Sequence, residues 1–265
     1  MSRCLIEHGV FASDPWHHAQ YAFHSFTDNL KTILDAAHRE APEVKIVLLL
    51  DEADYILQVE DRLQHVMRAA FQSREVGDAV RVVVAGTTDL STYISQRSSP
   101  FFNHFRFVPL KPLSEYETHA LITEPAAQMH YSYDPLGIER ICQVSGGHPY
   151  YCQRLCYEAF TLAVQAQEKH ITLAHAEAAV QKVMQDADAY HSFVTSFWQP
   201  SPPRQPLTRT ERRFLAALAG GKSTVQFSRQ TVKRCLDWQL VVECDGGYMF
   251  TCELFRAWTQ RASGG

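Results

Sequence analysis

Two runs of apolar, largely β-branched residues constrain the fold of this chain more than any other feature: Val44-Lys45-Ile46-Val47-Leu48-Leu49-Leu50 and Ala79-Val80-Arg81-Val82-Val83-Val84-Ala85. A strand that is apolar on consecutive positions belongs in a sheet covered on both faces, as parallel sheets are. Helical periodicity from about Val59 to Ser73 lies between the two runs, so the order strand, helix, strand predicts a parallel pair. Upstream, Ser25 to Arg39 carries Phe26, Leu30, Ile33, Leu34 and Ala37 at helical spacing, and Pro42 breaks the pattern. A third buried strand is predicted at Phe105 to Leu110. The fold class expected is α/β, with ligand chemistry at the carboxyl ends of the strands.

Beyond Pro112 the pattern turns helical. Ser114-Glu115-Tyr116-Glu117 is a capping-box sequence, and Asp134-Pro135 offers an N-cap followed by proline in the first turn. Gly146-Gly147-His148-Pro149 separates two helices, the second running from about Tyr150 to Gln167, and another helix follows Thr172. Ser201-Pro202-Pro203-Arg204-Gln205-Pro206 reads as a linker, because each proline lacks a backbone donor. A last unit then opens with the capping box Thr208 to Glu211 and a helix to Ala219, stopped by Gly220-Gly221. A second helix capped by Ser228 runs through Leu240, and Val241 to Thr251 reads as a hairpin around Asp245-Gly246-Gly247. Helix, helix, hairpin predicts a winged helix-turn-helix. The expected domains are 1–111, an α/β core; 112–199, a helical lid; and 200–262, the winged helix.

The formal charge of the chain is -4, from 25 Lys plus Arg against 29 Asp plus Glu, which argues against a polybasic partner for the whole protein. The distribution is uneven: from Pro200 onward ten basic residues face five acidic ones, so any nucleic-acid surface is local. An uninterrupted apolar run such as Ile46 to Leu50 is far short of the roughly 20 residues a membrane helix needs. The N-terminus places Glu7 and His8 where a secretory signal needs an apolar core, and the expected location is cytoplasmic with no membrane partner. Seven cysteines without a C-x-x-C pair predict reduced core thiols, and neither Cys142, His148, Cys152 and Cys156 nor the doublet His17-His18 is assigned a metal.

Chemistry is expected where β-structure ends in acid. Asp51 and Glu52 directly follow a buried strand, an arrangement that P-loop nucleotide hydrolases use: Asp51 would hold magnesium through water, and Glu52 would orient and polarise the attacking water. Thr87 or Thr88, at the end of the neighbouring strand, would sense the terminal phosphate. The competing interpretation is that the two acids only cap the following helix. Asp51-Glu52-Ala53-Asp54 also spells a helicase motif, but the Ser-Ala-Thr and paired-arginine motifs that should accompany it are absent from the sequence.

The order of several elements resembles the prokaryotic AAA+-like signalling ATPases of the STAND group, close to the archaeal-type ATPases. These elements are Lys45 to Asp54, Ala85 to Leu90, Phe105 to Leu110 with Pro112-Leu113-Ser114, Thr123-Glu124-Pro125, Tyr133-Asp134-Pro135 and Ser145 to Tyr151. The similarity spans about Thr27 to Trp258. It implies an ATP-binding switch ATPase using magnesium, acting as a homo-oligomer or with a protein partner. It also implies Gly146, Gly147, His148 and Pro149 as nucleotide-pocket residues and Arg106 as an arginine finger.

The resemblance departs at one point. Family members carry a phosphate loop upstream of the Asp-Glu strand, and residues 1–50 contain no G-x-x-x-x-G-K-[ST]. The expectation is therefore a C-terminal part of a longer protein, inactive alone; the alternative is that residues 1–24 improvise a replacement for the missing strand. Ala216 to Ser223 fits a relaxed form of the loop, but a helix precedes it where a strand is required. Two rival functions are DNA binding by the winged helix through Lys222, Arg229, Gln230, Lys233 and Arg234, and a nucleotide-free interaction scaffold.

Overall fold

The structure, a computed structural model, describes residues 26–58, 61–200 and 205–264. The doublet His17-His18, the proposed stand-in segment 1–24 and the first four residues of the expected linker lie outside these. The chain divides into two compact units, 1–108 and 109–265.

In the first unit, helix α1 (Phe26–Glu40) buries Leu30, Ile33, Leu34 and Ala37, the stripe that its spacing predicts. Strand β1 (Ile46–Leu50) follows, then a 3-10 turn (Ala53–Gln58), α2 (Asp61–Gln72), the short α3 (Arg74–Gly77), β2 (Val80–Val84) and α4 (Thr88–Ile94). The two strands pair in parallel, Ile46 against Val80 through Leu50 against Val84. Leu48 and Val80 form a core with Leu30, Leu34, Ala70 and Val76, and Phe26 meets Phe71 edge-on at 5.7 Å between ring centres.

Two expectations are corrected here. The strands are not buried on both faces: Val47, Leu49 and Val83 are exposed, Leu49 by 74%. Among the described residues this sheet has two strands, and α1 with its neighbours covers one face, so burial alternates at the period of two that a pleated strand imposes. Nor is Phe105 to Leu110 a strand. It leaves a series of turns as irregular chain without a ladder partner among the described residues, and Leu110 is 85% exposed.

The second unit begins with α5 (Glu115–Gln128), whose capping box is complete: the Ser114 hydroxyl accepts from Glu117 N, and the Glu117 carboxylate accepts from Ser114 N at 2.8 Å. Then come β3 (Ser132–Tyr133), α6 (Pro135–Ser145), α7 (Pro149–Gln165), β4 (His170–Ile171), α8 (Leu173–Gln185) and α9 (Ala187–Phe193), which continues as a π-helical turn (Val194–Trp198). Strands β3 and β4 form a short parallel pair. After Thr208, which caps through the predicted box with Glu211, come α10 (Arg209–Ala219), α11 (Arg229–Asp237), the antiparallel hairpin β5 (Val241–Cys244) with β6 (Gly247–Phe250), and α12 (Glu253–Gly264).

One hydrophobic core runs through this whole unit, from Ile122 to Trp258. Tyr151 on α7 packs edge-on against Phe255 and Trp258 of α12, at 5.5 and 5.1 Å, while Phe193 lies 5.8 Å from Phe255. The Trp258 indole N–H donates to the Met184 carbonyl at 3.2 Å, so its one polar atom is satisfied in the core. Arg140 on α6 adds a polar brace, reaching Glu177 at 2.8 Å and Glu253 at 2.6 Å. Burial pushes the Cys142 thiol up to about 11 and those of Cys235 and Cys252 to about 12, which keeps all three as neutral thiols.

Because Trp258 joins both halves of this core, Trp258→Ala is expected to cost about 3–5 kcal/mol. Urea unfolding of the full chain, read by far-UV circular dichroism and by exchange of α7 and β5 amides, should show α7 and the hairpin destabilised together.

Candidate functional site

The parallel ladder extends beyond both strands. Ala85 N donates to Leu50 O at 2.8 Å and Ala53 N donates to Ala85 O at 2.9 Å, which places Asp51 and Glu52 at the carboxyl end of β1 beside Gly86 and Thr87. Both acids are exposed. Asp51 Oδ1 accepts from Glu52 N at 2.8 Å, and Glu52 sits at φ 50°, in the left-handed region that a residue with a Cβ seldom occupies. The turn thus aims two carboxylates outward at a strand tip, one of them with an oxygen already committed to the backbone.

Asp54, three residues on, is buried at 8% exposure and points across to β2. Its Oδ2 accepts from Thr87 N at 2.9 Å, and its Oδ1 accepts the Thr87 hydroxyl. Gly86 makes room for this crossing: a Cβ there would lie 2.8 Å from Asp54 Oδ2 and 2.6 Å from Leu90 Cδ2. Thr87 also caps α4, its hydroxyl oxygen accepting from Asp89 N at 3.3 Å, and Thr88 begins that helix half-buried. The sequence reading missed Asp54 because its partner lies 33 residues away. Behind the turn, Gln64 donates to Ile56 O at 3.1 Å and accepts the Tyr93 hydroxyl at 2.6 Å, fixing the 3-10 segment against α4.

The donor set suits a hard cation that keeps most of its own water or phosphate ligands. Among the described residues no group of three or more His, Cys, Asp or Glu is placed to hold a metal. Magnesium, however, is commonly held by one or two carboxylates, with water and substrate phosphates filling the remaining positions. Asp51 fits an ion that arrives with a nucleotide, not one caged by protein alone. Arg106 is exposed in the irregular segment that follows the turns at 101–105.

The other predicted nucleotide residues lie in the second unit. Gly146 ends α6 at φ 56° and Gly147 follows at φ 74°. A Cβ on Gly146 would stand 2.0 Å from Thr251 O, and one on Gly147 would stand 2.4 Å from Leu113 O. Gly147 O in turn accepts from Leu113 N at 2.9 Å. Close approach of neighbouring backbone accounts for both glycines. His148 occupies the N-cap position of α7 without a side-chain capping bond, its ring 4.5 Å from that of Tyr151 and 6.0 Å from that of Phe255. Pro149 fills the first position of the helix, where its missing N–H costs nothing.

The basic residues of the last segment are not equivalent. Lys222, Gln230 and Lys233 are exposed, whereas Arg229 lies 3.4 Å from the Glu243 carboxylate. Arg234 is committed to the fold: its Nε donates to Glu211 Oε1 at 2.9 Å, a terminal nitrogen reaches Pro206 O at 2.9 Å, and the guanidinium lies 5.0 Å from the Trp238 ring centre. Hydrogen bonds from Arg234 and Thr208 hold the Glu211 carboxyl below its usual range against the opposing effect of burial. The phosphate-loop look-alike at 216–223 starts inside α10 and has no strand before it.

No family model matches the chain, and no curated protein does. Solved structures are similar to it. The Walker-type ATPase paby2304 of Pyrococcus abyssi superposes with a TM-score of 0.60 at 15% identity, over 90% of this chain and 69% of that one. The Aeropyrum pernix ORC2 protein, solved as ADPNP and ADP complexes, superposes with a TM-score of 0.58 at 13% identity, over 100% of this chain and 82% of that one. The chain has an AAA+-like fold in a helix-rich α/β form with small sheets. None of its described helices is long and apolar enough to cross a membrane.

Two outcomes check the second-unit assignments. Gly147→Ala should cost about 1–3 kcal/mol in a denaturant titration, because it adds a Cβ at positive φ against the Leu113 carbonyl. His148 is held below its ordinary pKa chiefly by burial. Its folded value being depressed, the unfolded chain binds the extra proton first as pH falls through about 6.5. Stability should thus be full above that pH and decline below it. His148→Asn should flatten the decline in denaturation midpoints measured from pH 7.5 to 5.

Proposed function

We propose that the chain is the ATP-binding switch ATPase that its resemblance implies, a STAND-type protein in which the described residues carry the hydrolytic and sensing positions. The observation that carries this reading is the ladder-fixed juxtaposition of Asp51-Glu52 with Thr87-Thr88 at the carboxyl ends of two parallel strands in an AAA+-like fold. In this reading magnesium neutralises phosphate charge when bound, and Asp51 holds it through water. Glu52 orients and polarises the water that attacks, while Thr87 or Thr88 meets the terminal phosphate. Gly146, Gly147, His148 and Pro149 contribute to the nucleotide pocket from the lid, and α10, α11 and the hairpin form a winged helix. Residues 1–111, 112–199 and 200–262 then serve as nucleotide core, lid and output segment, with Arg106 presented to a neighbouring subunit.

The test is Mg-ATP binding and turnover by the full chain and by a form extended upstream to include a phosphate loop. Glu52→Gln is expected to keep the affinity for Mg-ATP within about threefold while losing about 100-fold or more in turnover, as removal of a general base does. Asp51→Asn should weaken binding in magnesium and leave binding in EDTA unchanged. Undiminished turnover in Glu52→Gln removes the hydrolytic role, and absence of Mg-ATP binding by both forms removes the ATPase reading.

A further inference from the structure

We propose that Asp54 is a latch on the phosphate-sensing residue: its carboxylate occupies the hydroxyl proton of Thr87, and a phosphate at the strand tips must displace that carboxylate before Thr87 can serve it. The inference rests on the reading of Asp51, Glu52 and Thr87 as nucleotide machinery, and it names the regulation of that site.

A threonine hydroxyl has one proton to donate and two lone pairs to accept with. Thr87 gives its proton to Asp54 Oδ1 and accepts from Asp89 N at 3.3 Å. A phosphate oxygen only accepts, so Thr87 reaches it by redirecting the same proton. Asp54 is a strong competitor for it. The carboxylate is buried at 8% exposure, both of its oxygens are engaged with Thr87, and charge-assisted bonds of this kind exceed neutral ones roughly twofold in strength.

The latch is also placed to couple two functions. Asp54 belongs to the 3-10 turn that directly continues Asp51-Glu52, and Thr87 is the N-cap of α4. Release of Thr87 therefore frees the turn that carries the acidic pair as well as the start of α4. The absence of a Cβ at Gly86 permits the close crossing, so the arrangement is sterically specified on the Thr87 side.

The experiment compares the full chain with Asp54→Asn, Thr87→Val and the double variant. It measures binding of Mg-ATP and of magnesium tripolyphosphate by calorimetry, and hydrogen exchange of the Thr87 amide by NMR. The amide should exchange about tenfold faster in Asp54→Asn than in the parent, as expected when a charged acceptor is replaced by a neutral one. Tripolyphosphate affinity should rise about tenfold in Asp54→Asn and lose most of that gain in the double variant, about 1.4 kcal/mol for the tenfold factor. Thr87→Val alone is the reference for the double variant, since it removes the hydroxyl that the latch and the phosphate compete for.

An equal gain with and without the Thr87 hydroxyl makes Asp54 a mere repelling charge and overturns the latch. Unaltered amide exchange in Asp54→Asn overturns it and leaves the nucleotide reading intact. A Thr87 amide resonance that saturating magnesium tripolyphosphate leaves unmoved in the parent overturns it even where Asp54→Asn does not fold. Failure of every variant to bind either ligand, in the full chain and in the upstream-extended form alike, with the amide released in Asp54→Asn, overturns the nucleotide reading and the regulatory role of the latch together.

Discussion

Five register pairs from Ile46 with Val80 to Leu50 with Val84, prolonged by the Leu50, Ala85 and Ala53 backbone bonds, decide where each polar group at the strand tips falls. A slip of β1 by one residue would turn Leu48 outward and bring Val47 or Leu49 under α1. It would also carry Asp54 away from Thr87. The register is held because one face is packed: Leu48 and Val80 are buried with Leu30 and Leu34. Burial by α1 therefore fixes the position of a carboxylate on the far side of the turn, which is how an apolar contact comes to govern an electrostatic one.

Local signals were legible where the responsible atoms are neighbours in sequence. The α1 stripe, the boxes at Ser114 and Thr208, and the caps at Asp134 and Ser228 each depend on a few consecutive residues, and each forms as read. What covers a strand is not local. Val47, Leu49 and Val83 have the composition of core residues, yet nothing in the run itself says whether a second layer exists. Phe105 to Leu110 shows the same limit: strand-like residues form no strand where the described chain offers them no ladder partner.

The candidate site was half legible for a related reason. Asp51 and Glu52 stand out because they end a strand, and Thr87 because it ends the next. Asp54 belongs to the same acidic string in sequence, and only its partner Thr87, beyond the end of β2, reveals a different task. Gly146 and Gly147 carry a backbone constraint that the sequence does not show, because the carbonyls of Thr251 and Leu113 that crowd them are remote in sequence. A charge count likewise treats Arg234 as equal to Lys233, although Glu211 and the Pro206 carbonyl claim the former and not the latter. Helix α12 lies beyond the hairpin that the sequence marks, and its Phe255 and Trp258 are buried in the core.

The aromatic contacts among Tyr151, Phe193, Phe255 and Trp258 bear on modularity. A terminal module that can be shuffled between genes closes its own interior. Here α12 turns Phe255 and Trp258 toward α7 and α9, so residues 205–264 excised alone would present those rings to water. Recombination that preserves folding must take 109–265 as a cassette, and whatever the hairpin touches is inherited with the helices that carry Gly146 and His148.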